Sequence, residues 1–278
     1  MILIDNNQIM LASFFQHIKH SEFSEDLIRH MVLNTLRMYR TRFKDNYGEL
    51  VVCHDAGNYW RKDIFPEYKA NRKKLKDQTD HDWDRIFELF GQIREEIQNI
   101  FPWKHILVER AEADDIIAAL CIKTKDSPEK NVIVSSDKDF QQLQCLPNVQ
   151  QFCPRQKKFI VCEDPKDFLL THIIKGDSSD GIPNILSDSD TFICPDKRQN
   201  PCGKKKIDVL KESLDSCDED VKKRFQINKK LVDLHLVPEN IINTTIDEYV
   251  SPNQKGNILN YFIEHGMKQL IEHSEEFI

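Results

Sequence analysis

Val132-Ile133-Val134-Ser135-Ser136-Asp137-Lys138-Asp139 is the stretch whose reading decides the fold. A short, continuous apolar run reads as a strand buried on both faces, the kind found in parallel sheets. It gives way to small polar residues and then to two acids. In open α/β sheets, ligands bind in the crevice just beyond the strands' carboxyl ends. The same pattern recurs along the chain. Residues 2–4 are apolar and end in Asp5, and residues 50–53 reach Asp55 after one histidine. Glu112, Asp114 and Asp115 open an apolar helical pattern, and Asp177 and Asp180 follow another. Acids placed this way are expected to converge on one crevice. A crowd of carboxylates cannot stay ionised together without cations. The nine acids therefore predict divalent metal, and metal suggests phosphate chemistry.

Around these acids, strand and helix patterns alternate over roughly the first 175 residues, which predicts a largely parallel sheet covered by helices. Strands are expected at 2–4, 50–53, 105–108 and 132–134, with a weaker pair at 149–152 and 158–161. Helices are expected at 24–42 with Ser24 as N-cap, at 83–100, from about 112, and at 164–174 behind Asp164-Pro165. From Gly176 the texture changes to turn residues, and helical patterns return at 207–214, 221–234 and 256–271. The expected division is an α/β domain over 1–175 and a smaller helical region over 176–278.

The 278 residues suit one large core or two modest domains. No apolar run approaches the ~20 residues of a membrane span. The start, Met-Ile-Leu-Ile-Asp, reads as a strand rather than a signal peptide. The eight cysteines form no CxxC pair and mostly sit in or beside apolar segments, as reduced thiols do in a cytoplasmic setting. The net charge of −7 argues at first against a nucleic-acid partner, yet leaving the nine acids out of the count turns the balance slightly positive. Distribution matters more than the total.

Each motif alone has a bland reading. Acids in a first helical turn suit the macrodipole. Asp137-Lys138-Asp139 fits a cap followed by a surface acid, and Asp177 and Asp180 fit a solvated loop. Asp5 is harder to dismiss, because a carboxylate at the end of a central strand needs a partner. The basic segment 61–76 carries Arg61, Lys62, Lys69, Arg72, Lys73, Lys74 and Lys76 among Trp60, Phe65 and Tyr68. Basic residues interleaved with aromatics suit phosphate contact and base stacking, although most charge runs are simply solvated. Gly203 before Lys204, Lys205 and Lys206 resembles a helix N-terminus that can bind backbone phosphate.

The ordered set of Leu3-Ile4-Asp5, Cys53-His54-Asp55, residues 59–63, Glu67-Tyr68-Lys69-Ala70-Asn71-Arg72, Glu112-Ala113-Asp114-Asp115, Ser135-Ser136-Asp137-Lys138-Asp139-Phe140 and 175–180 resembles the flap-endonuclease-like 5′ nucleases, above all those of T-even-type phages. The resemblance runs over nearly the whole chain. It implies a PIN-like α/β fold with a helix-hairpin-helix-type element after Gly176 and an arch at about 61–85. It implies two Mg²⁺ ions, replaceable by Mn²⁺. Asp5, Asp55, Glu112 and Asp114 would form the first site, Asp137 and Asp139 would serve both, and Asp177 and Asp180 would form the second, with Asp115 behind them. Arg61 and Lys69 would act on the scissile phosphate. Tyr68 would stack on a base, and Arg72, Lys73 and Lys204–Lys206 would bind nucleic acid. The implied activity is 5′ exonuclease, flap endonuclease and ribonuclease H cleavage in replication, by a monomer acting on nicked or branched DNA and RNA/DNA duplex. Single-strand-binding protein and a sliding clamp are the implied partners. In one respect the chain departs from the family: a long stretch, 184–203, separates Gly181 from Gly203.

Competing readings explain less. A haloacid-dehalogenase-type phosphatase needs Asp-x-Asp after the first strand, where this chain has Asp5-Asn6-Asn7. A sugar-nucleotide transferase could use Asp137 and Asp139 but leaves Asp177, Asp180 and the basic segment unused. Cys194, Cys202 and Cys217 do not have zinc-site spacing. A non-catalytic, structure-specific DNA-binding module remains the alternative.

Overall fold

The computed structural model describes residues 1–253 and 255–278, without the side chains of residues 73–75. Its centre is a six-stranded sheet built from β1 (Ile2–Asp5), β2 (Leu50–His54), β3 (Lys104–Leu107), β4 (Asn131–Val134), β5 (Val149–Cys153) and β6 (Lys158–Ile160), in the order β3-β2-β1-β4-β5-β6. The first five strands are parallel, and β6 returns antiparallel on β5. All six expected strands form. β1 lies between β2 and β4, with Ile2 level with both Leu50 and Val132. The strand order reverses at β1, and there the crevice opens.

The helices before the sheet's last strand are α1 (Asn6–Ile18), α2 (Glu25–Tyr47), α3 (Arg61–Ile64), α4 (Asn71–Lys76), α5 (Trp83–Ile100) and α6 (Ala113–Lys123). After it come α7 (Pro165–Lys175), α8 (Lys204–Ser213), α9 (Glu219–Val232), α10 (Glu239–Val250), α11 (Ile258–Glu264) and α12 (Lys268–Ile271). Caps follow the local sequence. Ser24 accepts from the Leu27 N–H, and Asp164 from the Asp167 N–H with Pro165 at the first helical position. Several features depart from the sequence expectation. α1, α3, α4 and α10 form where no helix was expected. The expected helix 256–271 is split at Gly266, whose φ of +63° ends α11 as a left-handed cap. Among the described residues, no helix is long and apolar enough to cross a membrane.

Alternation along the strands sends their side chains to two cores. Ile2, Ile4, Val52, Val132 and Val134 meet α1, α2 and α5 together with Tyr261, Phe262 and Phe277. Leu3, Val51, Cys53 and Ile133 meet Ile116, Ile117 and Leu120 of α6 together with Leu234, Val237 and Ile241. A third cluster gathers Phe65 and Tyr68 with residues of α7, α8 and α9. The elements after 176 thus divide among all three clusters.

One buried ionic cluster ties the third group to the second. Arg61 is 2% exposed. It donates from Nη2 to Asp115 Oδ1 at 2.7 Å, from Nη1 to Asp115 Oδ2 at 2.9 Å and to Glu112 Oε2 at 2.7 Å, and from Nε to the Leu231 carbonyl at 2.8 Å. α3, α6 and α9 therefore share one guanidinium. Expected on the scissile phosphate, Arg61 here points its donors into the protein. Asp115, 0% exposed, also accepts from Trp60 Nε1 and closes the capping box of α6.

Two outcomes follow for stability. Arg61→Gln should cost about 3–5 kcal/mol in urea denaturation, because it leaves two buried carboxylates short of their cation. A loss under about 1 kcal/mol would show that the cluster contributes little, as exposed pairs do. Gly176, with φ +68°, closes α7 where an added Cβ would stand 2.4 Å from the Ile182 carbonyl oxygen. Gly176→Ala should therefore lower stability by at least ~1–3 kcal/mol, and a neutral result would mean that the 176–183 turn shifts freely.

Candidate metal centre and nucleic-acid interface

The acids converge from the ends of β1, β2 and β4 and the starts of α6 and the turn after α7. Asp5 ends β1 and caps α1, accepting from Gln8 N at 3.2 Å, while Ser135 Oγ donates to its other oxygen. Asp55, just past β2, accepts from the Ala113 N–H at 2.7 Å and so pins the start of α6. Asp137 caps the 3-10 segment Lys138–Cys145, which replaces the α-helix that a capped start suggested, and accepts from Asp139 N.

Crowding shows in the acidities. Burial, and then the charge of Asp55, raises the Asp5 carboxyl to about 7. Burial, then Asp137 and Asp5, pushes Asp114 well above the usual range. Burial and Glu112 raise Asp55. Asp139 is raised to about 7 by burial, with Asp137 and Asp177 adding to it against His172. These mutual effects place Asp5, Asp55, Glu112, Asp114, Asp137, Asp139 and Asp177 in one electrostatic neighbourhood.

Part of this charge is balanced by lysines. Lys69 Nζ bonds Glu112 Oε1 and lies 3.6 Å from Asp180 Oδ2. Burial disfavours its charge, but Glu112 and Asp180 outweigh that and hold it protonated above the usual lysine range. Lys138 Nζ lies 2.8 Å from Asp177 Oδ2. For Asp177, burial is outweighed by donors from His172, Lys138 and Ser179, which keep the carboxyl ionised far below its ordinary range. Asp180 accepts from Arg72 at 2.6 Å.

The donor chemistry fits divalent ions. The side chains of Asp139, His172 and Asp177 each offer a ligand atom within 4.8 Å of the others. Among the described residues, Asp139 Oδ1 and His172 Nδ1 are buried without a hydrogen-bond partner. His172 was not singled out in the sequence. Its only signal is a spacing of about one helical turn before Asp177, which is too common to read.

Other expected residues stand as follows. Tyr68 is 3% exposed, and its hydroxyl lies 2.9 Å from Glu112 Oε2 and 3.1 Å from Asp180 Oδ2. Expected to stack on a base, its ring in this structure packs in the third core cluster. Asp115 lies behind Glu112, with its oxygens accepting from protein donors. His54 is a packed neighbour of His105, ring centres 4.4 Å apart, and burial pushes both imidazoles down. Lys204, Lys205 and Lys206 stand exposed at the start of α8. The side chain of Lys73 lies outside the described residues. A groove lined by Asn7, Tyr59, Arg72, Lys76, Trp83 and Phe87 opens beside Asp55. Within it, Trp83 and Phe87 stack at 5.8 Å and Lys76 Nζ sits 4.0 Å over the Phe87 ring.

Known proteins are similar to this chain in sequence and in fold. Residues 1–167 match the model of the 5'-3' exonuclease N-terminal resolvase-like domain, and residues 165–277 match that of the T4 RNase H C-terminal region. The ribonuclease H of Enterobacteria phage T4 is 30% identical over 99% of this chain and 95% of its own. The flap endonuclease Xni of Shewanella sp. (strain ANA-3) is 32% identical over 45% of this chain and 48% of its own. A crystal structure of the bacteriophage T5 flap endonuclease with DNA and metal ions superposes with a TM-score of 0.65 at 18% identity, covering 89% of this chain and 97% of that one. The relatives found by sequence are named as nucleases, which favours the catalytic reading over a DNA-binding module. On the two domain matches and the full-length similarity, the chain belongs to the 5'-3' exonuclease family, with a C-terminal region of the T4 RNase H type.

Proposed function

We propose that this chain is a metal-dependent 5′ nuclease that hydrolyses phosphodiester bonds at 5′ ends of RNA/DNA and DNA/DNA duplexes and flaps, and that it removes primers during replication. The observation that carries the reading is the convergence of acids from β1, β2, β4, α6 and the turn after α7 on one crevice beside a basic, aromatic groove. We read 1–175 as the nuclease unit, about 61–85 as the arch and 176–278 as the duplex-gripping and C-terminal region. We place the protein in the cytoplasm of the host cell, as a monomer; single-strand-binding protein and a sliding clamp are the partners to test.

Asp5, Asp55, Glu112 and Asp114 would hold one Mg²⁺, and Asp180 would join Asp137, Asp139 and Asp177 around a second, with Mn²⁺ able to replace either. Two such ions activate water and neutralise charge at the attacking and leaving oxygens. The protein's own groups supply the rest. Asp55 and the capping box fix the start of α6, so Glu112 and Asp114 are pre-aimed. Arg61 and Tyr68 restrain Glu112 from behind. Lys69, already charged, can turn from Glu112 and Asp180 toward a phosphate oxygen and stabilise the charge that develops there. Trp83, Phe87 and Lys76 offer stacking and charge to an unpaired 5′ strand, and Lys204–Lys206 at the start of α8 offer duplex backbone contact.

Asp139→Asn should slow cleavage of a 5′-labelled flap by at least ~100-fold, the scale of losing one group that stabilises transition-state charge, while gel-shift affinity for the same flap holds. Cleavage at the parent rate would overturn the assignment. A panel of 5′-RNA, 5′-flap and nicked duplexes, each with and without Mg²⁺, would order the substrates. A second outcome comes from the acidities of Asp5 and Asp139, both raised to about 7. Without divalent ions the folded chain holds more protons on these acids than the unfolded chain between about pH 4 and 7, so their contribution to stability falls as pH rises through that window. Protons and metal compete for the same oxygens. The rise in Tm on adding Mg²⁺ should therefore be larger at about pH 8 than at about pH 6. Equal rises at both would separate these acids from metal binding.

A further inference from the structure

His172 belongs to α7 and is 5% exposed. Its Nε2 lies 3.0 Å from Asp177 Oδ2 and its Nδ1 lies 3.3 Å from Asp139 Oδ1. The two contacts are unlike. Asp177 is well supplied with donors, from Lys138 at 2.8 Å, Ser179 N at 2.8 Å and Ser179 Oγ at 2.5 Å. With the ring proton on Nε2 and donated to Asp177, Nδ1 presents a lone pair to a carboxylate oxygen. Both of those atoms are buried and neither has a hydrogen-bond partner. Two acceptors facing each other in a buried site are reconciled by a cation between them, either a proton or a metal ion. Adjacent ligands of an octahedral ion with bonds of ~2.1 Å stand about 3 Å apart, close to the observed separation.

We propose that His172 is itself a metal ligand: its Nδ1 and the Asp139 carboxylate hold one of the two ions, while Asp177 orients the imidazole from behind. This rests on the two-metal reading above and alters it, because Asp177 becomes a positioning residue instead of a direct ligand. The arrangement is the carboxylate–histidine–metal relay in which a ligating imidazole donates its other N–H to an acid, fixing tautomer and ring plane. It has a consequence for ion choice. Mg²⁺ is a hard ion that prefers oxygen and keeps its waters, whereas imidazole nitrogen favours later divalent ions. This position should therefore bind transition ions better than Mg²⁺, and the position around Asp5, Asp55, Glu112 and Asp114 should remain an oxygen site.

The test is Mn²⁺ titration of the full, chelator-stripped chain, with free Mn²⁺ followed by EPR and bound Mn²⁺ by pulsed EPR. Two bound ions are expected, one showing nitrogen coupling from a directly bonded imidazole. His172→Asn should remove that coupling and weaken one ion by at least about 10–100-fold, the scale already seen for losing an outer-shell partner of a ligand, with a smaller loss for Mg²⁺ measured by calorimetry. Two bound ions without nitrogen coupling, or coupling that survives in H172N, would overturn the role of His172 and leave the two-metal reading standing. No Mn²⁺ bound by the parent chain would end both. If H172N fails to fold, ¹⁵N-histidine spectra of the parent chain with Zn²⁺ replace it. A large shift at His172 Nδ1 supports the proposal, and a ring nitrogen unmoved by saturating Zn²⁺ refutes it.

Discussion

The Arg61 guanidinium, shared by Asp115 and Glu112, is the interaction on which the rest of the site depends. Two carboxylates and a guanidinium buried together are costly to desolvate, and such a cluster persists only when each charge is met by partners of good geometry. Here the condition is satisfied with few donors left over. Asp115 takes both Nη nitrogens, and Glu112 takes one more contact through Oε2, while its Oε1 is held by Lys69. The cluster sets the pitch of α6 against α3 and α9, and so it sets the direction in which Glu112 and Asp114 point.

Charge in the crevice is balanced in layers. Arg61 lies behind the acids, Lys69 and Lys138 lie among them, and the pKa values of Asp5, Asp55, Asp114 and Asp139 are raised by burial and by neighbouring carboxylates. The lysines reach their carboxylates on flexible stems, whereas Arg61 is fixed on every side. An entering cation could displace the former at modest cost and the latter only by breaking the fold. This division separates residues that build the pocket from residues that can exchange partners in it.

Much of this was legible in the chain. Continuous apolar runs gave the strands, because a parallel sheet covered on both faces has no polar alternation to disguise it. The acids at the strand ends were legible for the same reason: the strand ends were. Two kinds of feature were not. α1 begins at Asn6, with no turn residues between it and β1, so the strand signal ran straight into it. The roles of Arg61, Tyr68 and His172 depend on what surrounds them in three dimensions. A basic or aromatic residue in a charged segment reads as a surface group, and only burial shows that Arg61 and Tyr68 face inward. His172 sits on a helix whose pattern is unremarkable, and its two acid neighbours come from different turns.

The contacts between the 68–72 segment and the 178–180 turn have a consequence for the order in which the molecule assembles. Tyr68 and Arg72 reach the Asp180 side chain, Asn71 reaches the Ser178 carbonyl and the Lys69 N–H reaches the Asp180 carbonyl, across sequence separations of 107 to 112 residues where side chains make the bond. Closing a chain loop of that length costs on the order of 4 kcal/mol in entropy, more than a few partly exposed hydrogen bonds return on their own. The clasp therefore closes only after the sheet has brought its two halves together.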